Sequence, residues 1–124
     1  MKNIISTENA PGAIGPYSQA VCVKDTLYVS GQLPINPQNG NMADSVEKQA
    51  EQSIENIKAI VEAAGFTLED IVKTTVLLQN ISDFDAVNAV YAKYFQNDCP
   101  ARACYQVAAL PKNALVEIEA IAAK

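Results

Sequence analysis

Arg102, Glu117 and Glu119 are the residues in this sequence whose types and spacing suit chemistry. They lie in one stretch, Pro100 to Ala122, where a period of two predicts two strands joined by a turn at Leu110-Pro111-Lys112-Asn113. On the first strand Arg102, Cys104 and Gln106 point one way and Ala103, Tyr105 and Val107 the other. On the second, Glu117 and Glu119 share a face opposite Val116, Ile118, Ala120 and Ala122. Pairing of the two strands would set a guanidinium and two carboxylates on stiff backbone beside a large apolar surface. That suits holding a small anion and moving a proton near it. The same spacing also describes a salt-bridged sheet edge, the commoner arrangement for such residues.

Composition narrows the chemistry further. The 124 residues form one expected domain, 1–124, with no linker or charge run dividing it; 49% are hydrophobic and 19% charged, enough for a real core. The net charge of −5 would repel a phosphate backbone, and no basic stripe with interleaved aromatics is present, so nucleic-acid binding is not expected. Cys22, Cys99 and Cys104 are odd in number and lack CxxC spacing, which argues against a disulfide framework and a zinc site. The absence of histidine excludes Ser-His-Asp and Cys-His schemes. No metal or cofactor is expected. MKNIISTENA lacks an apolar leader core, and a cytoplasmic location with free thiols follows as an expectation.

The elements that must position these groups are legible in order. Ile4 to Ser6 suits a short edge strand, and Ala10-Pro11-Gly12-Ala13-Ile14-Gly15-Pro16-Tyr17 is too rich in Pro and Gly for regular structure. Tyr17, at its end, either plugs a core edge or walls a pocket and donates a hydrogen bond. Ala20 to Val23 and Thr26 to Ser30 predict a hairpin around Lys24-Asp25, and Gly31 after Ser30 permits close approach of another group. Asp44 is a candidate N-cap with Glu47 at capping-box spacing, and Val46, Ala50, Ile54, Ile57, Val61 and Ala64 form one apolar helix face ended by Gly65. Ile71 to Leu78 reads as a central strand. A second helix from Ser82, with Asp85 at N3, buries Phe84, Val87, Tyr91 and Tyr94 or Phe95. Asn88 lies beside that stripe, as a structural hydrogen-bonder or a pocket residue. The order β-ββ-α-β-α-ββ predicts an α+β domain, a mixed sheet with two helices on one face. The other face would be apolar, and subunit association is its natural cover.

Ile14-Gly15-Pro16-Tyr17, Ser30-Gly31-Gln32, Lys73-Thr74-Thr75-Val76, Phe84 with Asn88, Pro100-Ala101-Arg102, Leu110-Pro111 and Val116-Glu117-Ile118-Glu119-Ala120 occur together and in this order. The set resembles the RidA (YjgF-type) reactive-intermediate deaminases over nearly the whole chain. The resemblance implies a chorismate-mutase-like fold and a homotrimer with a central β-barrel and active sites between subunits. It implies hydrolysis of 2-imino acids and their enamine tautomers (2-aminoacrylate/2-iminopropanoate, 2-iminobutanoate) to 2-keto acids and ammonia. Such intermediates are released by pyridoxal-phosphate enzymes acting on serine or threonine. By the family pattern Tyr17 contacts the ligand, Ser30, Gly31 and Phe84 line the site, Asn88 fixes a water or supports the cleft, and Ala103 and Cys104 present backbone near the ligand. Gln96-Asn97-Asp98-Cys99 looks shorter than in well-known bacterial members, with Cys99 where a bulkier apolar residue is expected.

The residues suit that chemistry. Arg102 offers the planar two-point donor a substrate carboxylate calls for. Glu117 is placed to orient or activate a water and return its proton to the leaving nitrogen. Glu119 is the candidate for the structural carboxylate. Cys104 as nucleophile is disfavoured, because nothing near it in sequence lowers its pKa and two carboxylates would raise it. The alternative to an enzyme is a non-catalytic trimer that binds keto acids or similar metabolites through the same arginine. Ribonuclease activity is disfavoured by the acidic charge and missing histidine.

Overall fold

The computed structural model describes residues 1–124. Eight regular elements follow in chain order: β1 (Lys2–Ile5), β2 (Ala20–Val23), β3 (Thr26–Gln32), α1 (Val46–Ala63), β4 (Ile71–Leu78), α2 (Phe84–Tyr94), β5 (Ala101–Gln106) and β6 (Val116–Ala123). The strands form one mixed sheet in the order β1-β2-β3-β6-β4-β5, antiparallel throughout except for the parallel pair β4–β5. Both helices pack on one face, as the α+β expectation required. Val29, Val76, Ile118 and Ala120 are buried on that face, while the intervening residues turn to the other.

The predicted hairpin of β5 and β6 does not form. β4 lies between them, pairing with β5 in parallel and with β6 antiparallel. A parallel neighbour needs a crossover, and α2 supplies it between β4 and β5. The chain then crosses the end of β4, held by Val107 N–H to the Leu78 carbonyl and Gln79 N–H to the Leu115 carbonyl. Leu110 to Asn113 does turn, through a 3-10 turn at Pro111–Asn113 in which Lys112 and Asn113 adopt left-handed φ of 58° each.

Helix boundaries shift slightly from the sequence expectation. Ser45, not Asp44, caps α1 by accepting from Lys48 N–H, so Glu47 closes no capping box. Gly65 follows the helix with φ 84°, the left-handed conformation that glycine takes without strain. A 3-10 turn at Ile81–Asp83 takes up Ser82, and α2 begins at Phe84. β1 starts earlier than expected and β3 runs two residues further, to Gln32, with its register against β6 slipping between Val29 and Gln32. Lys24 supplies the positive φ, 54°, that a glycine would otherwise give the β2–β3 hairpin.

The buried face of α1 is wider than its apolar stripe. Gln49, Ser53 and Asn56 are buried beside Ile54, Ile57 and Ile60. Two of these polar residues tie the helix to the loops: Gln49 accepts from Leu115 N–H and donates to the Ala43 carbonyl, and Asn56 donates to the carbonyls of Leu33 and Ile35. The opposite sheet face has no covering layer. Ile4, Val23, Tyr28 and Tyr105 stand exposed on it, beside Val21 and Ile121. No helix is long and apolar enough to cross a membrane.

Candidate functional site

The loop from Ala10 to Tyr17 has no regular backbone, so something else must fix it. Gln19 does: its amide donates to the carbonyls of Thr7, Ala10 and Pro11, and its carbonyl oxygen accepts from Thr7 N–H. At 4% exposure this glutamine is a buried clasp with its hydrogen-bonding capacity used. Its own backbone carbonyl accepts from Ser30 N–H, and the Ser30 hydroxyl donates to the Ser18 carbonyl at 2.6 Å. The loop is thereby sewn to the end of β3. Tyr17 is 53% exposed, so it does not plug the core. Its hydroxyl accepts from Ile14 N–H at 3.4 Å.

These ties shape a cleft of about 740 Å³ walled by Tyr17, Ser30, Gly31, Lys112 and Glu117. Gly31 has the close neighbour its sequence context predicts. A β-carbon on it would stand 2.7 Å from Glu117 Oε2, so the carboxyl lies directly on the glycine backbone. Glu117 is half-buried, and its carboxyl is pushed above the usual carboxylate range by burial and then by the charge of Glu119. A raised carboxyl in a cleft is the ordinary signature of a proton-handling group.

Arg102 belongs to a second cluster. In register with Thr74 on β4, it sits on the helix-bearing side of the sheet, whereas Glu117, opposite Leu77, sits on the open side. The expected gathering of the arginine with both carboxylates therefore fails within one chain, because period two assigns each strand its two faces but not which face its neighbours share. Arg102 is held by α2 instead. Its Nη1 donates to Asn88 Oδ1 at 2.7 Å, and its guanidinium carbon lies 5.6 Å from the Phe84 ring centroid and 4.8 Å from that of Tyr91. Asn88 is thus a hydrogen-bond acceptor for the arginine. Partnered by a neutral amide, Arg102 retains an exposed donor edge for an anion.

Cys104 shares the Arg102 face, and Ala103 the open one. Burial pushes the Cys104 thiol up and nearby Arg102 partly offsets it; the carboxylates expected to raise it are on the other side of the sheet. Glu119 is exposed beside Thr75. Cys99 is exposed and donates to the Phe95 carbonyl, closing the end of α2. Sequence reasoning missed Gln19, Lys112 and Tyr91 as parts of these clusters. Lys112 had a usable signal, since it falls in the turn immediately before the Glu117 strand; a lone glutamine had none.

The α+β domain thus presents a raised carboxyl in one cleft and, on another surface, an aromatic-backed guanidinium hydrogen-bonded to a neutral amide. Comparison with known proteins refines this. Residues 7–124 match the family model described as Endoribonuclease L-PSP. The chain is 51% identical over 127 residues to the 2-iminobutanoate/2-iminopropanoate deaminase of Salmonella typhimurium, covering 100% of this chain and 99% of that one. It is 59% identical over 119 residues to the RutC family protein y4sK of Sinorhizobium fredii, covering 94% of each. The crystal structure of E. coli TdcF with bound serine superposes with a TM-score of 0.96 at 48% identity over 98% of both chains. The chain belongs to the YjgF/RidA (L-PSP) family.

Proposed function

We propose that the protein hydrolyses 2-imino acids and their enamine tautomers, such as 2-aminoacrylate/2-iminopropanoate and 2-iminobutanoate, to 2-keto acids and ammonia. The active sites lie between copies of the chain in a homotrimer whose open sheet faces form a central barrel. The observation that carries the reading is Glu117, a carboxyl raised by burial and pressed onto Gly31 in a cleft walled by Tyr17 and Ser30. The name of the Salmonella relative and the amino acid bound to TdcF both support a substrate bearing an α-carboxylate.

Arg102 of one copy takes that carboxylate as a two-point ion pair, with Asn88 and Phe84 holding the guanidinium. Ala103 and Cys104 present backbone beside it. Glu117 of the adjacent copy accepts a proton from water as the oxygen attacks C2 of the protonated imine, an iminium, giving a carbinolamine. Transfer of that proton from Glu117 to nitrogen lets the C–N bond break as ammonia leaves, and loss of the hydroxyl proton to the Glu117 carboxylate forms the keto acid. The raised carboxyl suits the first step because it accepts a proton more readily than an ordinary glutamate does. An iminium carbon is electrophilic already, so these groups suffice.

The test generates 2-iminopropanoate in situ with an amino-acid oxidase and follows its decay. Wild type should accelerate the decay, and Arg102→Ala, folded and assembled, should not. No acceleration by wild type over buffer would sink the proposal for this substrate class.

A further inference from the structure

Arg102 ends a long side chain at an exposed position, and such a side chain ordinarily samples many rotamers. What restrains it comes from one face of α2. Phe84, Asn88 and Tyr91 stand at positions i, i+4 and i+7, so they form a single stripe beneath the guanidinium. Asn88 fixes one nitrogen by hydrogen bond, while the two rings lie against the guanidinium carbon. Tyr91 lies nearer to the guanidinium than Phe84, at 4.8 Å against 5.6 Å.

Tyr91 is itself restrained. It is 7% exposed, and its hydroxyl is 2.7 Å from Oγ1 of Thr74, which is 1% exposed. Its other neighbour is Phe95, with ring centroids 4.6 Å apart and planes tilted by 38°. Thr74 is the residue directly opposite Arg102 in the parallel β4–β5 register. The strand that flanks the arginine backbone therefore also carries the hydroxyl that orients the ring under its side chain. A phenylalanine would fill the same space, so the hydroxyl answers to something other than packing.

We propose that Tyr91, tied to Thr74, is a positioning residue that holds the Arg102 guanidinium in the plane needed to receive the substrate carboxylate. The inference rests on the reading of Arg102 as the carboxylate anchor. It adds a residue that touches no substrate and acts through the arginine.

The experiment compares wild type, Tyr91→Phe, Thr74→Val and the double variant. Each is measured for its melting temperature, its KM for 2-iminobutanoate, and its Kd for 2-oxobutanoate by calorimetry. Each single variant should raise KM and Kd about tenfold, the loss expected for one well-placed charge-assisted contact. Each single variant should also melt lower, because it strands a buried hydroxyl or leaves its partner without one. The double variant removes both polar groups, so its melting temperature should recover toward wild type. Its KM and Kd should stay high. Ligand affinity that recovers along with stability, or single variants with wild-type affinity, would overturn the inference while leaving the deaminase reading intact. A wild type that neither deaminates nor binds the keto acid would overturn both.

Discussion

Gly31→Ala tests the link between the Glu117 position and turnover with the smallest available change. The new methyl carbon would meet Glu117 Oε2 at 2.7 Å, Cδ at 3.0 Å and Cγ at 3.3 Å. Ordinary contact begins near 3.4 Å, so the carboxyl must retreat by about 0.7 Å. Gly31 lies in β3 outside the left-handed region, and alanine there carries no backbone strain. The displaced atoms belong to the end of a flexible, half-buried side chain, so the stability change should stay within about 1 kcal/mol. Catalysis is less forgiving. A misplacement approaching 1 Å in a group that handles the reacting water costs on the order of 10- to 100-fold.

The assay is the decay of 2-iminopropanoate generated in situ, read beside a thermal melt on the same preparation. The expected result is kcat/KM lowered about 10- to 100-fold with an almost unchanged melting temperature. Full wild-type turnover in Gly31→Ala would refute the reasoning, because it would show that the reaction does not depend on where the Glu117 carboxyl sits. Collapse of the fold would refute the other half of it, that the side chain yields rather than the backbone.

Burial and Glu119 raise the Glu117 carboxyl, so the folded state keeps that proton to a higher pH than the unfolded chain. Stability then falls as pH rises from the ordinary carboxylate value through the raised one, and the penalty persists above it. Glu117→Gln should therefore melt above wild type near neutral pH, with the gap closing below about pH 4, while deaminating at least about 100-fold more slowly; a lower melting temperature at neutral pH would contradict this. Tyr28→Glu places a charge on the open sheet face, where Tyr28 is 50% exposed. Sedimentation should show a trimer for wild type and a monomer for this variant, with activity lost, whereas an active wild-type monomer would end the inter-subunit reading. Leu27, next along β3 but 0% exposed, faces the core instead. Leu27→Ala should cost about 2–5 kcal/mol in urea denaturation, and a loss under about 1 kcal/mol would remove Leu27 from the core.

Local pattern carried much of the fold. The period of α1 identified Val46, Ala50, Ile54, Ile57 and Val61, all buried, and the β-branched run Ile71 to Leu78 is β4 without change of bounds. Alternation also divided β5 and β6 correctly, Arg102 with Cys104 on one face and Glu117 with Glu119 on another. What alternation cannot encode is which strands are neighbours. β5 and β6 are consecutive in sequence, yet β4 separates them, a choice made by the α2 crossover and by hydrogen bonds between distant segments. Since the relation between their faces is set only through the register of each with β4, Arg102 and Glu117 could be named from the sequence but not assigned to opposite faces. Gln19 shows a second limit, for its role comes from carbonyls eight to twelve residues away and leaves no periodic trace.

The separation of Arg102 from Glu117 has a chemical use in the proposed assembly. Side by side on one small surface, the two would pair, and an adjacent guanidinium lowers a carboxyl pKa by about 1–3 units. That would abolish the raised basicity of Glu117 and occupy the donor edge of Arg102 before any substrate arrived. In a single chain the arginine instead meets a neutral amide and two aromatic rings, and the carboxyl meets a glycine backbone and a second carboxylate. Each group is thereby kept in the state its proposed step requires. Bringing them to opposite ends of one small imino acid only across a subunit boundary lets the ligand, rather than a salt bridge, satisfy the arginine. A carboxylate set beside the arginine within one chain should accordingly weaken its hold on the substrate carboxylate. Asn88→Asp sets one there: it supplies Arg102 with a carboxylate 2.7 Å away in place of the amide. It should raise KM for the imine well above that of Asn88→Ala, and equal KM values in the two variants would show that the neutrality of the arginine's partner does not matter.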